Sequence, residues 1–322
     1  MVSLEICAGA GGQALGLEQA GFRHAALVEI DSTACATLRK NRPGWNIIEG
    51  DVRNFSARNY SGIDLLAGGV PCPPFSVAGK QLGKDDEREL FPEVLRLVRE
   101  CEPKAVMIEN VRGMFDPKFD EYRNGIVEHL RRMGYICFWR IIQSHHYGVP
   151  QQRPRAVLAA FKEYCAEYFA WPLDVVTPPT VGQVLYKEMS SNGWEGAKEW
   201  ALLANGIAPT LVGGSKKHGG PDLGPTRARA VWKKFGIDGV GLADSPPSRG
   251  FVGLPRLTVK MTAILQGFPS DWEFVGKKTA VYRQIGNAFP PPVALAIGSA
   301  ILKALGTGEA KNIGGKHYEN RR

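Results

Sequence analysis

A single cysteine, Cys72, stands among three prolines in the run GGVPCPPFS (Gly68–Ser76), directly after the apolar stretch IDLLAG. Proline fixes φ at about −65° and donates no backbone hydrogen bond. These prolines therefore end a strand abruptly and leave a stiff turn at its carboxyl end, where ligands and reacting groups sit in an open α/β sheet. A thiol held there is a nucleophile, a metal ligand or a filler. The six cysteines (Cys7, Cys35, Cys72, Cys101, Cys137, Cys165) show no CxxC pair and no metal-finger spacing. Free cysteine is among the most buried residue types, which explains Cys101 but not a thiol at a proline-locked strand end. A second apolar run, AVMIEN, ends in Glu109, where desolvation raises a carboxyl pKa and keeps a proton available.

A further set of strand ends could hold a ligand. CAGAGG follows the first apolar run and opens a helical stretch. Gly9, Gly11 and Gly12 are expected to let the backbone approach a ligand, with free N–H groups at the helix start. Glu29 ends the second strand in LVEID and is placed to take both hydroxyls of a ribose. Asp51, in EGDV after the third, is placed to accept from an adenine amino group. Each acid alone reads as well as a helix cap, but three consecutive strand ends with suitable groups favour a ligand. The full GxGxxG dinucleotide fingerprint is missing, so the set fits a cofactor with one adenosine and no pyrophosphate, as in S-adenosylmethionine.

These residues need a scaffold, and the chain supplies one. VSLEIC, HAALVEI, WNIIEG, IDLLAG, AVMIEN and ICFWRII read as strands, and QALGLEQAG, TACATLRKN, LFPEVLRLVREC and YRNGIVEHLRRMG have helical spacing. Such alternation predicts a doubly wound, mostly parallel sheet with helices on both faces, to which RAVLAAF adds a strand. From Tyr164 to about Pro255 the chain is rich in Gly, Pro, Trp and Lys with little periodicity, which predicts a smaller irregular domain. The expected division is a catalytic domain of 1–164 and 279–322 with a recognition region of 165–278. RLTVKMTAILQGF reads as a helix, VALAIGSAILKAL as an apolar closing helix, and GTGEAKNIGGKHYENRR as a frayed tail.

The 322 residues carry a net charge of +8, which marks either a solvated surface or a polyanionic partner. MVSLEICAGAGG has no basic n-region or h-region, and no run reads as long enough to span a bilayer. With scattered thiols, the expectation is a reducing cytoplasm and no membrane.

Taken in order, the glycine turn, Glu29, Asp51, PCPPFS, ENV (Glu109–Val111), QQRPR (Gln151–Arg155), LQGFP and RQIGNAFPPP resemble the motif set of the DNA cytosine-5 methyltransferases. The resemblance runs from about Ile6 to Val293, sparing the Tyr164–Pro255 region. It implies an S-adenosylmethionine-dependent enzyme that flips a cytosine out of duplex DNA and methylates carbon 5. Cys72 would add to carbon 6, Glu109 would neutralise ring nitrogen 3, Arg153 would meet the cytosine carbonyl oxygen, and Arg155 would orient the site. A water would remove the carbon 5 proton.

The resemblance further implies a cofactor pocket of Cys7, Ala8, Gly9, Gly11, Gly12, Glu29, Ile30, Asp51, Val52, Pro71, Leu90, Asn287 and Ala288. Family members commonly have an aromatic where Cys7 stands, and glutamine where Pro73 stands. The stretch SVAGKQLGKDDERELF reads as a loop that shuts over DNA, with Ser76 on a phosphate. Thr210 in PTLVGG resembles a threonine placed beside the flipped base. Lys216, Lys217, Arg227 and Arg229, in a basic segment with the single acid Asp222, are expected on DNA. The implied setting is a bacterial modification enzyme, a monomer, with or without a separate restriction endonuclease. A transfer-RNA cytosine methyltransferase and a non-catalytic DNA-binding homologue are the alternatives; the latter should lack Cys72 or Glu109.

Overall fold

Alternating apolar strands and amphipathic helices build the large part of the molecule. The computed structural model describes residues 1–71, 89–174, 177–214 and 220–319, with side chains as far as 312. Strand β1 (Val2–Ile6) leads to α1 (Gly12–Ala20), β2 (Arg23–Glu29), α2 (Ser32–Asn41), β3 (Ile47–Glu49) and β4 (Leu65–Gly69). Then come α3 (Phe91–Cys101), β5 (Ala105–Val111), α4 (Asp120–Arg132), β6 (Tyr135–Gln143), β7 (Gln151–Gln152), β8 (Pro154–Lys162) and α5 (Glu163–Ala166). One sheet has the order β3-β2-β1-β4-β5-β8-β6. Strands β1 to β5 are parallel, and β8 runs antiparallel between β5 and β6.

This order decides where chemistry can occur. The chain winds outward from β1 to β3 on one side and from β4 to β5 on the other, so the crevice opens at the carboxyl ends of β1 and β4. Because β8 is reversed, its first residues, not its last, reach the same rim. Arg155 pairs with Val111 across β5. RAVLAAF is thus the one strand among these whose preceding motif, QQRPR, faces the site.

Side-chain alternation separates two cores. Leu4, Ile6, Val28, Leu66, Val106 and Ile108 face α3 and α4. Leu65, Ala67, Met107, Val157 and Phe161 face α1 and α11 (Pro291–Glu319). Cys165, Ala166 and Phe169 also belong to that second core. Their apolar side chains complete the sheet face.

The region beyond it is less irregular than its composition suggests. It contains α6 (Val181–Ser190), α7 (Ala197–Leu203), β9 (Ala208–Pro209) and α8 (Thr226–Lys234), followed by α9 (Val259–Leu265) and α10 (Lys278–Asn287). A capping box of Thr180 and Gln183 starts α6. Val181, Leu185, Trp200, Leu211, Trp232, Met261 and Tyr282 form its own core.

Two expectations about the carboxyl end change. The predicted frayed tail is helical to Glu319 as a continuation of α11. Lys278–Asn312 is also long and apolar enough, with a window of mean hydropathy 1.5, to cross a membrane by composition. More than half of that window is buried. Its Val293, Ile297, Ile301 and Leu305 pack in the second core, which makes it a core helix.

Candidate active site

The glycine turn between β1 and α1 is built for close approach at one glycine only. Gly9 has φ +54°, and a Cβ there would meet nothing within 4 Å. Gly11 and Gly12 are packed against protein on the side where a Cβ would stand. A Cβ on Gly11 would lie 2.6 Å from Leu38 Cδ2 and 3.0 Å from Trp272, and one on Gly12 would lie 2.3 Å from the Phe289 carbonyl. These two are small because protein, not ligand, occupies the space. Cys7 also has positive φ, 51°, a conformation that costs a non-glycine residue free energy.

Glu29 closes the turn from β2. Its Oε2 accepts from the Gly9 N–H and its Oε1 from the Asp31 N–H, both at 2.7 Å. Burial raises its pKa, and those two bonds oppose the rise. Each oxygen keeps lone-pair capacity for a further donor. Ile30, next in the chain, is 62% exposed, an apolar surface beside the turn. An open glycine, a carboxylate with spare acceptors and an exposed isoleucine fit an adenosyl group.

Asp51 is engaged otherwise than expected. It accepts from the Arg53 backbone N–H and pairs with the Arg53 guanidinium, and the Arg53 side chain holds its pKa below the usual range. Val52 and Leu90 are buried members of the first core, while Ala8 is buried and Pro71 exposed at the rim. Ala288 Cβ lies 3.2 Å from a Cβ placed on Gly12, and exposed Asn287 donates to the Gly214 carbonyl.

At the next strand ends, β4 and β5 set Gly69 opposite Glu109. Glu109 is only 7% exposed. Arg155 Nε meets its Oε1 at 2.7 Å. Burial nevertheless raises the Glu109 pKa, the desolvation exceeding the pull of Arg155 and Arg153. The outcome is a carboxyl group biased toward its acid form, with a guanidinium fixing its orientation.

Arg153 is engaged by backbone carbonyls. It is fully buried. Nη1 donates to the Leu211 carbonyl, and Nη2 to those of Gly286 and Ala288. Its fork is thus occupied by backbone, and Arg155 is the arginine that reaches the acid. Two glutamines that the sequence reading gave no role complete this hub. Gln151 accepts from the Leu211 N–H and donates to Gln266 Oε1, and Gln266 Nε2 donates to the Ala288 carbonyl. QQRPR, PTLVGG, LQGFP and GNAFPPP therefore meet at one buried junction. The sequence carried little signal for them: Gln266 stands between Leu265 and Gly267, and Gln151 between Pro150 and Gln152.

The family model of C-5 cytosine-specific DNA methylases matches residues 1–214 and 249–303. The chain belongs to the C-5 cytosine-specific DNA methylases. It is 56% identical over 306 residues to the type II methyltransferase M.NgoMIV of Neisseria gonorrhoeae, covering 94% of this chain and 97% of that one. It is 55% identical to M.NaeI of Lentzea aerocolonigenes, over 94% and 75% of the two chains. The fold matches a prophage-encoded E. coli protein described as a DNA modification methyltransferase (TM-score 0.68, 23% identity, 95% and 99% covered). It also matches S. pombe Dnmt2 methyltransferase (TM-score 0.64, 17% identity, 95% and 99% covered).

In this methylase the family match omits residues 215–248, the segment that carries α8. Arg227 is exposed and Arg229 half-buried on that helix, whose Trp232 is anchored in the core below. Thr210 follows β9, which pairs with β7, and its hydroxyl donates to the Gln152 carbonyl. Thr210 is thereby fixed to the residue immediately before Arg153 and three before Arg155. Cys72, Ser76, Lys216 and Lys217 lie outside the described residues, as does most of the expected closing loop.

Proposed function

We propose that this methylase transfers a methyl group to carbon 5 of a cytosine extruded from a specific site in duplex DNA, through a transient bond between Cys72 and carbon 6. The supporting observation is the buried Glu109 opposite Gly69, three residues before Cys72 in the chain. Attack by the Cys72 thiolate on carbon 6 pushes electron density toward ring nitrogen 3. Glu109, whose pKa burial raises, donates its proton there. Arg155, not Arg153, is the donor assigned to the cytosine carbonyl oxygen, because only Arg155 stands beside Glu109.

S-adenosylmethionine, when bound, supplies the methyl electrophile. Gly9, Glu29 and Ile30 hold its adenosyl part, with Cys7, Ala8, Asp51, Pro71, Asn287 and Ala288 around them. After transfer, the carbon 5 proton leaves to water, and the carbon–sulfur bond breaks to return the thiolate. Extrusion costs a few kcal/mol, offset by contacts from Ser76, Thr210 and the basic segment with Lys216, Lys217, Arg227 and Arg229. The enzyme acts as a cytoplasmic monomer, as the modification partner of a restriction endonuclease.

A duplex oligonucleotide with 5-fluorocytosine at the target tests the reading. Fluorine cannot leave as the proton does, so a stable adduct at Cys72 is expected by mass spectrometry, and none with Cys72→Ser. No adduct from wild type with donor and DNA bound would refute the covalent route. Preferential methylation of transfer RNA would refute the substrate.

A further inference from the structure

Beneath the cofactor turn lies a buried acid that the reaction does not use. Glu5 sits in β1, fully buried on the same face as Ser3. Gln13 Nε2, from the first turn of α1, lies 3.4 Å from Glu5 Oε2. His24 Nδ1, from β2, lies 3.4 Å from Glu5 Oε1. His24 Nε2 lies 3.0 Å from the Ala14 carbonyl, and Ser3 Oγ lies 2.7 Å from His24 Nδ1. The Trp45 edge covers the imidazole at 4.7 Å. Behind it Glu18 is paired with Arg42.

The protonation states follow from partner chemistry. A carbonyl only accepts, so His24 Nε2 carries hydrogen toward Ala14, and Nδ1 of the neutral ring is an acceptor. A neutral imidazole cannot offset a buried carboxylate. Glu5 Oε1 and Gln13 Oε1 both lack a hydrogen-bond partner. The Ser3 hydroxyl already donates to the one lone pair of His24 Nδ1, so a proton on Glu5 supplies the missing donor for the Gln13 amide oxygen. Burial accordingly pushes Glu5 up to about 8 and His24 down to about 4.

Gln13 and Ala14 directly follow the glycine turn, and Glu5 precedes Cys7 by two residues, so the cluster grips both ends of the turn. We infer that neutral Glu5 is a positioning residue for the cofactor turn, and that loss of its proton loosens the turn and weakens S-adenosylmethionine binding. The inference rests on the cofactor reading above.

Calorimetric titration of the wild type with S-adenosylhomocysteine and S-adenosylmethionine from pH 6.5 to 9.5 tests it, beside Glu5→Gln, which mimics the neutral acid. If only the protonated form binds well, a group titrating at about 8 lowers wild-type affinity about tenfold between pH 7 and 9. Glu5→Gln should bind as the wild type does at pH 7 and lack that fall. The ligand's amino group titrates alike with both proteins, so Glu5→Gln is the reference. Thermal unfolding without ligand gives a second readout, with Glu5→Gln gaining on the wild type as pH rises from 4.5 to about 8 and the difference levelling off above that. Parallel affinity profiles in the two proteins, or a Glu5→Gln protein that binds weakly at every pH, would overturn the inference. Absence of binding by wild type at any pH would instead overturn the cofactor reading.

Discussion

Replacing Arg153 by methionine separates a structural hub from a substrate contact. Its guanidinium makes three bonds of 2.8–2.9 Å to the carbonyls of Leu211, Gly286 and Ala288. Methionine fills much of the volume but donates nothing. The Ala288 carbonyl keeps Gln266, while those of Leu211 and Gly286 lose this donor. Hydrogen bonds from a charged group contribute about 1.5–3 kcal/mol each, and a buried group left unpaired costs about 1–3 kcal/mol. Removing the cation also removes its own desolvation cost, which offsets part of the loss. The expected net is about 3–5 kcal/mol. With a urea slope of about 3 kcal/mol/M, the midpoint of unfolding falls by about 1–1.7 M. Arg155→Met should differ, because it removes one pairing with Glu109 rather than three bonds to buried backbone carbonyls. It should lose about 1–2 kcal/mol of stability while kcat falls much further. An Arg153→Met protein within about 1 kcal/mol of wild type in urea, yet without turnover, would refute the hub argument and return the cytosine contact to Arg153.

Three further outcomes follow from the same geometry. Glu109→Gln should lower kcat by about 10²–10⁴-fold, the usual worth of a general acid, with DNA binding kept in a gel-shift assay. Because burial raises the Glu109 pKa, its acid form is lost as pH rises through that value; the alkaline fall of wild-type kcat should vanish in Glu109→Gln. Gly9→Val should lose about 1–2 kcal/mol through strain at φ +54°. Its side chain should also fill the open space, so calorimetry should show S-adenosylhomocysteine affinity reduced more than tenfold. Arg227→Ala and Arg229→Ala should each flatten the plot of log affinity for duplex DNA against log salt by about one unit; unchanged slopes would remove α8 from the DNA surface.

The sheet was legible because apolar alternation is a local property of the chain. The runs read as strands and helices in the first half appear as β1 to β6, β8 and α1 to α4. α6 and α7 were missed because they are short and lie in a Gly-, Pro- and Trp-rich stretch that masks their period, and they pack around Trp200 and Trp232. The tail was missed for a related reason. Glycine lowers helix propensity by about 1 kcal/mol, but Gly308 is tolerated because a Cβ there would lie 2.6 Å from the Tyr164 carbonyl, so its smallness allows α11 to pack against α5.

Residue types in order were enough to identify the family and to bring Cys72, Glu109, Glu29 and the glycine turn forward, because the chemistry demands a nucleophile, an acid and a close backbone approach. The division of labour within each motif was not contained in that order. Only the reversed direction of β8 decides that Arg155 stands beside Glu109 while Arg153, two residues earlier, is turned into backbone carbonyls from two distant segments. Only the packing of Leu38, Trp272 and Phe289 decides that Gly9 faces open space while Gly11 and Gly12 do not. A side chain's neighbours come from the whole fold, and a motif specifies no more than what it can offer them.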